Sequence, residues 1–226
     1  MSRDAVFERE GFKFFPQAAA GTMLGRLREM ASHFGGVGTR LDQATLGPIA
    51  DLIGQNGPIG QIASTLCERP PFVVRAILFD KPSMTNWSLD WHQDRTINVA
   101  EKIECVGFGP WTVKQGLLHV QPPQSVIEEM ITLRVHLDEV PASNAPLRVI
   151  PGSHRIGRMA ESGIALLAAR SCERLCLASS GDVWAYRSAI VHASSVVDGD
   201  HQGRRVLQFD YACRALEPPL RWAMMI

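Results

Sequence analysis

The sequence predicts an antiparallel β-barrel or jelly roll with a layer of helices packed outside it. Three observations carry this prediction. The first seventy residues repeat their apolar positions at helical spacing, the rest breaks into short β-branched or alternating runs, and turn chemistry separates those runs. With 226 residues, 46% of them hydrophobic and 20% charged, the chain can bury one core without disulfides. A single domain over residues 1–226 is expected, with 1–70 as helical support and 71–226 as the jelly-roll core.

Met23, Leu24, Leu27 and Met30 recur at helical spacing, as do Ile49, Leu52 and Ile53 after the Gly47-Pro48 start signal. Ile59, Ile62 and Leu66 predict a third helix, closed by Pro70-Pro71. From there the period changes. PFVVRAILFD (71–80) reads as a buried strand. MITLRVHLDEV (130–140) alternates, with Ile131, Leu133, Val135 and Leu137 on one face and Thr132, Arg134 and His136 on the other. GDVWAYR (181–187) and RRVLQFDYA (204–212) supply further strands. The interval 101–126, with Gly107, Gly109, Pro110, Gly116, Pro122 and Pro123, reads as a long loop of the kind that forms lids.

Lys plus Arg equals Asp plus Glu at 23 each, which argues against a broadly basic nucleic-acid-binding or membrane-binding face. No apolar run approaches the roughly 20 residues of a membrane span, and the first residues lack the pattern of a signal peptide. A soluble cytoplasmic protein acting on a small molecule is the expectation; oligomeric state is left open. The five cysteines form no CxxC pair and read as small buried hydrophobes. Cys172 and Cys176 would share a face if their segment were helical.

The chemistry concentrates in Trp91-His92-Gln93-Asp94. A strand period of two places His92 and Asp94 on one face, so that an imidazole and a carboxylate cover adjacent positions of an octahedral ion. HxD alone is common. A third ligand from far downstream, His192 in His-Ala-Ser-Ser after the GDVWAYR strand, would complete a two-His-one-carboxylate face with three positions open. Arg204-Arg205 then opens the last strand, where a guanidinium could grip a carboxylate in a bidentate pair.

Taken together, HxD, PGSH (Pro151 to His154), GDVWAYR leading to HASS, RRVLQFDYA and the opening Phe7-Glu8-Arg9-Glu10-Gly11-Phe12 resemble the phytanoyl-CoA dioxygenase family over nearly the whole chain. The resemblance implies a double-stranded β-helix of cupin type, Fe(II) as cofactor, and 2-oxoglutarate and O2 as cosubstrates. It places His92, Asp94 and His192 on the iron, Arg204 on the distal carboxylate of 2-oxoglutarate with Ser194 assisting, and Gln93 near the cosubstrate. The interval from His192 to Arg204 is about one residue longer than the family's, so Arg205 is the competing candidate. Alternation favours Arg204, which shares a face with Val206, Gln208 and Asp210, while Arg205 shares one with Leu207, Phe209 and Tyr211. The carboxylate at Asp94 points to hydroxylation or desaturation rather than halogenation.

For substrate contacts the sequence offers Lys114 and Trp111 in the 101–126 interval, and Arg134 and His136 on the polar face of their strand. His136 reads first as a satisfied core histidine and His154 as part of a turn. Arg75, Lys81 and Asn86 are candidates to support either cosubstrate or substrate. Two other functions compete with a 2-oxoglutarate-dependent hydroxylase: a cupin-type metal dioxygenase or isomerase without 2-oxoglutarate, and a non-catalytic binding module on the same barrel.

Overall fold

The structure, a computed structural model, describes residues 4–82, 87–197 and 203–226. Asn86 and His201 lie outside the described residues. In chain order the strands are β1 (Phe12–Phe15), β2 (Thr39–Leu41), β3 (Phe72–Lys81), β4 (Leu89–His92), β5 (Ile97–Asn98), β6 (Trp111–Lys114) and β7 (Leu117–Val120). They continue with β8 (Ile131–His136), β9 (Leu147–Val149), β10 (Arg174–Cys176), β11 (Val183–Arg187), β12 (His192–Ser194) and β13 (Arg204–Ala212). All pairings are antiparallel. A major sheet runs β1-β11-β8-β13-β3-β2, a minor sheet β10-β9-β12-β4, and a small third sheet β5-β7-β6. This is the jelly roll the alternation predicts.

Period-two alternation decides what each face of the major sheet does. Leu133 and Val135 of β8, and Leu207, Phe209 and Tyr211 of β13, pack outward. They meet apolar residues of α2 (Gly21–Ser32), of the turns through Gln43–Ile53 and of the helix Pro58–Leu66, among them Leu27, Ile49, Ile53, Ile59 and Ile62. The opposite face presents Thr132, Arg134 and His136 from β8 and Val206, Gln208 and Asp210 from β13, paired across the ladder as Asp210↔Thr132, Gln208↔Arg134 and Val206↔His136. A register shift between Asp210 and Tyr211 matches Asp210 to Arg75 and Tyr211 to Val73. That bulge lets Arg75 face inward while Val73 faces the helices, although the two positions are an even number apart.

Two parts of the expectation are corrected. The first seventy residues are not purely a helical layer, because β1 and β2 cap the two edges of the major sheet. The segment FKFF follows Gly11, whose left-handed φ of +80° ends the first helix (Ala5–Glu10), and pairs with β11 from Phe12↔Tyr186 to Phe15↔Val183. A Cβ on Gly11 would also stand 2.3 Å from the His154 ring, which accounts for glycine where the chain start meets the PGSH turn.

The 101–126 interval, in turn, is not a bare loop. It folds into the β6–β7 hairpin, turned by Gln115 and Gly116 with φ of +50° and +77°, and then the helix Gln124–Glu128. Two consecutive positive φ values fit a type I′ turn. Glutamine seldom marks one, so the hairpin was invisible to turn chemistry. Cys172 and Cys176 do not share a helix face either; Cys172 follows the helix Glu161–Arg170 and is exposed, whereas Cys176 is buried in β10. Among the described residues no helix is long and apolar enough to cross a membrane.

Candidate metal centre

The minor sheet brings the metal-ligand set together. His92 ends β4 and His192 begins β12, and the two are direct register partners, with ring centroids 4.3 Å apart. Asp94 lies two residues beyond His92 as the chain leaves the strand. One ligand atom from each of His92, Asp94 and His192 lies within 4.8 Å of the others. Two nitrogens and one oxygen on one face of an ion suit Fe(II) and leave the opposite face for other ligands.

The surroundings tune each ligand. The Nδ1 of His92 sits 2.6 Å from the Asp90 carbonyl, and the Nδ1 of His192 sits 3.0 Å from the Ile190 carbonyl. Each Nδ1 is therefore the N–H donor, which leaves each Nε2 lone pair for a metal. Burial, and then the neighbouring His92, hold His192 down to about 4, in its neutral, ligating form. At Asp94 burial pushes the carboxyl up, but Arg75, followed by His192 and His92, overcomes it and holds the group below the ordinary aspartate range.

Arg75 spans two carboxylates. Its Nη2 donates to Asp94 Oδ2 at 3.2 Å, and its Nε donates to the fully buried Asp210. Asp210 also accepts from Thr132 Oγ1 at 2.8 Å and Gln208 Nε2 at 3.2 Å. The residue that the sequence offered as a cosubstrate or substrate contact thus braces an iron-ligand candidate. Arg75→Lys keeps the charge but cannot fork between two acids. It is expected to weaken Fe(II) binding roughly tenfold, within the range for loss of an outer partner. Anaerobic Fe(II) titration checks this, and unchanged affinity would show that the brace is dispensable.

A cavity of about 1100 Å³ opens over the ligand set, between the sheets. His92, Asp94 and His192 line it, together with Arg75, Arg134 and Gln208 from the inner face of the major sheet and Arg40 and Lys114 from the far side. Of the sequence candidates, Arg134 and Lys114 reach this cavity. Trp111 does not. Its indole donates to Glu104 at 3.2 Å and its ring packs into a separate cluster with Ile97 and Val120. Gln93 lines the cavity wall, but its amide is committed: Nε2 donates to the carbonyls of Gly157 and Ala189, both at 2.9 Å, and Oε1 accepts from the Met159 amide at 3.0 Å. It braces the 157–159 segment against the turn before His192.

Deeper in, Arg204 and Ser194 converge on one carbonyl. Arg204 Nη2 donates to Ala145 O at 2.8 Å and its Nε to Asn144 O at 3.0 Å, while Ser194 Oγ donates to Ala145 O at 3.1 Å. Arg205 turns the other way, into an ion pair with Asp138. Around Arg204 stand Arg134, Lys81 and His136, and among the described residues no acid pairs with it. Burial and Arg134 lower Arg204 to about 10, and burial and Arg204 lower Lys81 to about 8. His136 is not the satisfied core histidine expected: both ring nitrogens are buried without a partner. Unpaired buried cations beside unpartnered nitrogens are costly, and an anionic ligand end such as a carboxylate would satisfy them.

Comparison with known proteins now bears on this geometry. The sequence profile of the phytanoyl-CoA dioxygenase family (PhyH) matches residues 58–206, well over half of the chain and inclusive of all three metal-ligand candidates and Arg204. The chain belongs to the phytanoyl-CoA dioxygenase family. No curated protein matches it significantly. Among solved structures it is similar to AviO1 from Streptomyces viridochromogenes Tue57, at 20% identity over 94% of each chain and a TM-score of 0.66. It is also similar to EctD from S. alaskensis with 2-oxoglutarate and 5-hydroxyectoine, at 18% identity over 94% of this chain and 76% of that one, TM-score 0.68. The α-ketoglutarate-dependent epimerase SnoN from nogalamycin biosynthesis matches at 16% identity over 92% and 79%, TM-score 0.62. These likenesses establish the double-stranded β-helix. Family membership and the donor set indicate iron and 2-oxoglutarate as the cofactors.

The sequence did not single out Arg40, and it offered Arg75 as a ligand contact rather than as a brace, for different reasons. Arg40 belongs to β2, a strand that exists only through pairing with β3. The function of Arg75 depends on a bulge that no local pattern announces.

Proposed function

We infer that this chain is a non-haem Fe(II)/2-oxoglutarate-dependent dioxygenase that hydroxylates a small molecule. One observation carries the reading: a two-His-one-carboxylate set opens on a cavity lined by Arg134, with Arg204 buried near that arginine and neither of them paired with an acid among the described residues. His92, Asp94 and His192 would hold the iron. When bound with its cosubstrate, the iron activates O2 for oxidation of the substrate, and 2-oxoglutarate leaves as succinate and CO2. Everything else falls to the chain. Arg204 and Ser194, now sharing the Ala145 carbonyl, are placed to exchange it for the distal carboxylate. Arg134 and His136 add donors on the same side, and Phe79, whose ring lies 4.9 Å from the Arg134 guanidinium, shields it from water. A cupin-type oxygenase working without 2-oxoglutarate would have no use for this buried cationic end.

The test needs no substrate. Fe(II) followed by 2-oxoglutarate, added anaerobically to apoprotein, is expected to give a weak visible charge-transfer band that requires both and is lost in His192→Ala. Fe(II) binding with no band on adding 2-oxoglutarate would refute the 2-oxoglutarate reading.

A further inference from the structure

The cavity carries more positive charge than the iron and its cosubstrate account for. Six cationic side chains line it: Arg40, Arg75, Arg95, Lys114, Arg134 and Arg148. Four have partners. Arg75 is spent on Asp94 and Asp210, and Arg95 donates to the Met159 carbonyl at 2.8 Å. Arg134 donates to Gln208 at 2.9 Å, and Arg148 pairs with Glu173 and stacks 4.8 Å over Trp91. The guanidinium of Arg40 and the ammonium of Lys114 have no hydrogen bond or ion pair among the described residues, and the Arg40 Nε is buried without a partner.

These two side chains are held together by backbone. The Gln115 side chain accepts from the Arg40 amide at 2.9 Å and donates to the Gly38 carbonyl at 3.2 Å, which fastens the β6–β7 turn to β2. Arg40 is thereby fixed next to Lys114 although the two belong to different sheets. Their proximity is unfavourable as it stands. Burial and then Arg75 lower Arg40; burial and then Arg40 lower Lys114. Two like charges on one wall, Arg40 half-buried and Lys114 exposed, neither of them ion-paired among the described residues, fit an anion between them.

We propose that Arg40 and Lys114 form an anion subsite for the substrate, so that the substrate carries a carboxylate or phosphoryl group directed to β2 and the β6–β7 hairpin. The proposal rests on the cavity being the Fe(II)/2-oxoglutarate site. Asp94 lines the same cavity, near enough to Arg40 and Lys114 to oppose the downward pull on both. A substrate anchored there therefore presents its neutral portion to the metal face. Trp87 and Trp91, which also line the cavity, supply apolar wall.

The test uses phenyl phosphate and benzoate as anionic probes, and benzyl alcohol as the neutral counterpart. Each is titrated anaerobically into protein loaded with Fe(II) and 2-oxoglutarate, with the visible band and tryptophan fluorescence as readouts. At least one anion is expected to bind about tenfold more tightly than benzyl alcohol, with an affinity that falls as salt rises. Arg40→Met and Lys114→Met should each weaken that anion about tenfold and leave the 2-oxoglutarate concentration at half-maximal band unchanged within about twofold. Arg40→Lys and Lys114→Arg, which keep the charge, should retain most of the binding and show that the fold persists. Equal binding of anions and alcohol, or full anion affinity in both Met variants, overturns the subsite. So does a parallel loss of 2-oxoglutarate affinity, which would assign these cations to the cosubstrate. A wild-type protein that shows no band yet binds the anions through Arg40 and Lys114 would instead keep the subsite and refute the oxygenase reading.

Discussion

Asp94→Ala is expected to abolish iron retention and succinate formation together, with the fold intact. Removal takes away the only anionic member of the ligand set, and two neutral imidazoles hold a divalent ion poorly. It also unbalances Arg75, which now divides its charge between Asp94 and Asp210. Without Asp94 a partly unpaired guanidinium faces the metal position and repels it. The loss should therefore exceed the roughly 10- to 100-fold typical of an outer partner. Asp94→Asn removes the charge at constant shape and should behave almost as badly, which separates electrostatics from packing. His92→Ala should match it, because that ring, anchored by its Nδ1 at Asp90, has no other partner for its Nε2 among the described residues. Stability should change little, since the Asp94 side chain is partly open to the cavity and fills no core space. Metal analysis after anaerobic desalting, a 2-oxoglutarate-dependent succinate assay and a thermal melt read the three quantities. Wild-type iron content in either alanine variant would remove this assignment of the centre.

The readability of this site follows from how local each of its signals is. His92 and Asp94 are two residues apart, and their shared side follows from strand geometry alone. The strand pair β8–β13 was legible because alternation over six to nine residues leaves one face polar and the other apolar, while His192 was found by its place just after the GDVWAYR strand and by the family resemblance. The choice between Arg204 and Arg205 rested on that same alternation, and the ion pair of Arg205 with Asp138 is its outward face realised. Where pairing rather than local sequence makes the element, reading failed. FKFF is too short to declare itself a strand, and it becomes one because β11 offers an edge. The three residues Thr39–Leu41 likewise owe their conformation to β3, and with them went Arg40. Trp111 was offered because it lies in an interval read as a loop, and that reading says nothing about which side a ring faces; the ring packs in a cluster away from the cavity. Gln93 shares the cavity lining with its neighbours in HxD, but only the fold shows that three backbone groups already occupy its amide. Local periodicity therefore identifies the inner wall, while long-range register decides which of its polar groups remain free to bind.

That distinction sets the second large effect, Arg204→Ala. In the proposed reading it raises the 2-oxoglutarate concentration needed for half-maximal band or turnover by roughly 30- to 1000-fold, equivalent to about 2–4 kcal/mol for truncating one partner of a buried charge pair. Most of this comes from what stays behind. The distal carboxylate must still leave water, but it then meets Ser194, His136 and Arg134 without the forked donor that now reaches Asn144 and Ala145. Arg204→Lys should recover only part of the loss, because an ammonium cannot reproduce a bidentate grip. Stability is expected to hold or rise slightly, since the variant removes a buried cation crowded by Arg134 and Lys81 and paired with no acid among the described residues. Arg205→Ala should show the opposite pattern. It frees Asp138 from a half-buried ion pair and from the side-chain bonds that tie β13 to the end of β8, at a cost of about 1 kcal/mol or less, while the 2-oxoglutarate requirement stays put. Titrating the band across the three variants alongside their melts gives both axes. A 2-oxoglutarate requirement raised by Arg205→Ala and untouched by Arg204→Ala would mean that the cosubstrate enters from the other face of β13, and the inner cationic end would need another ligand.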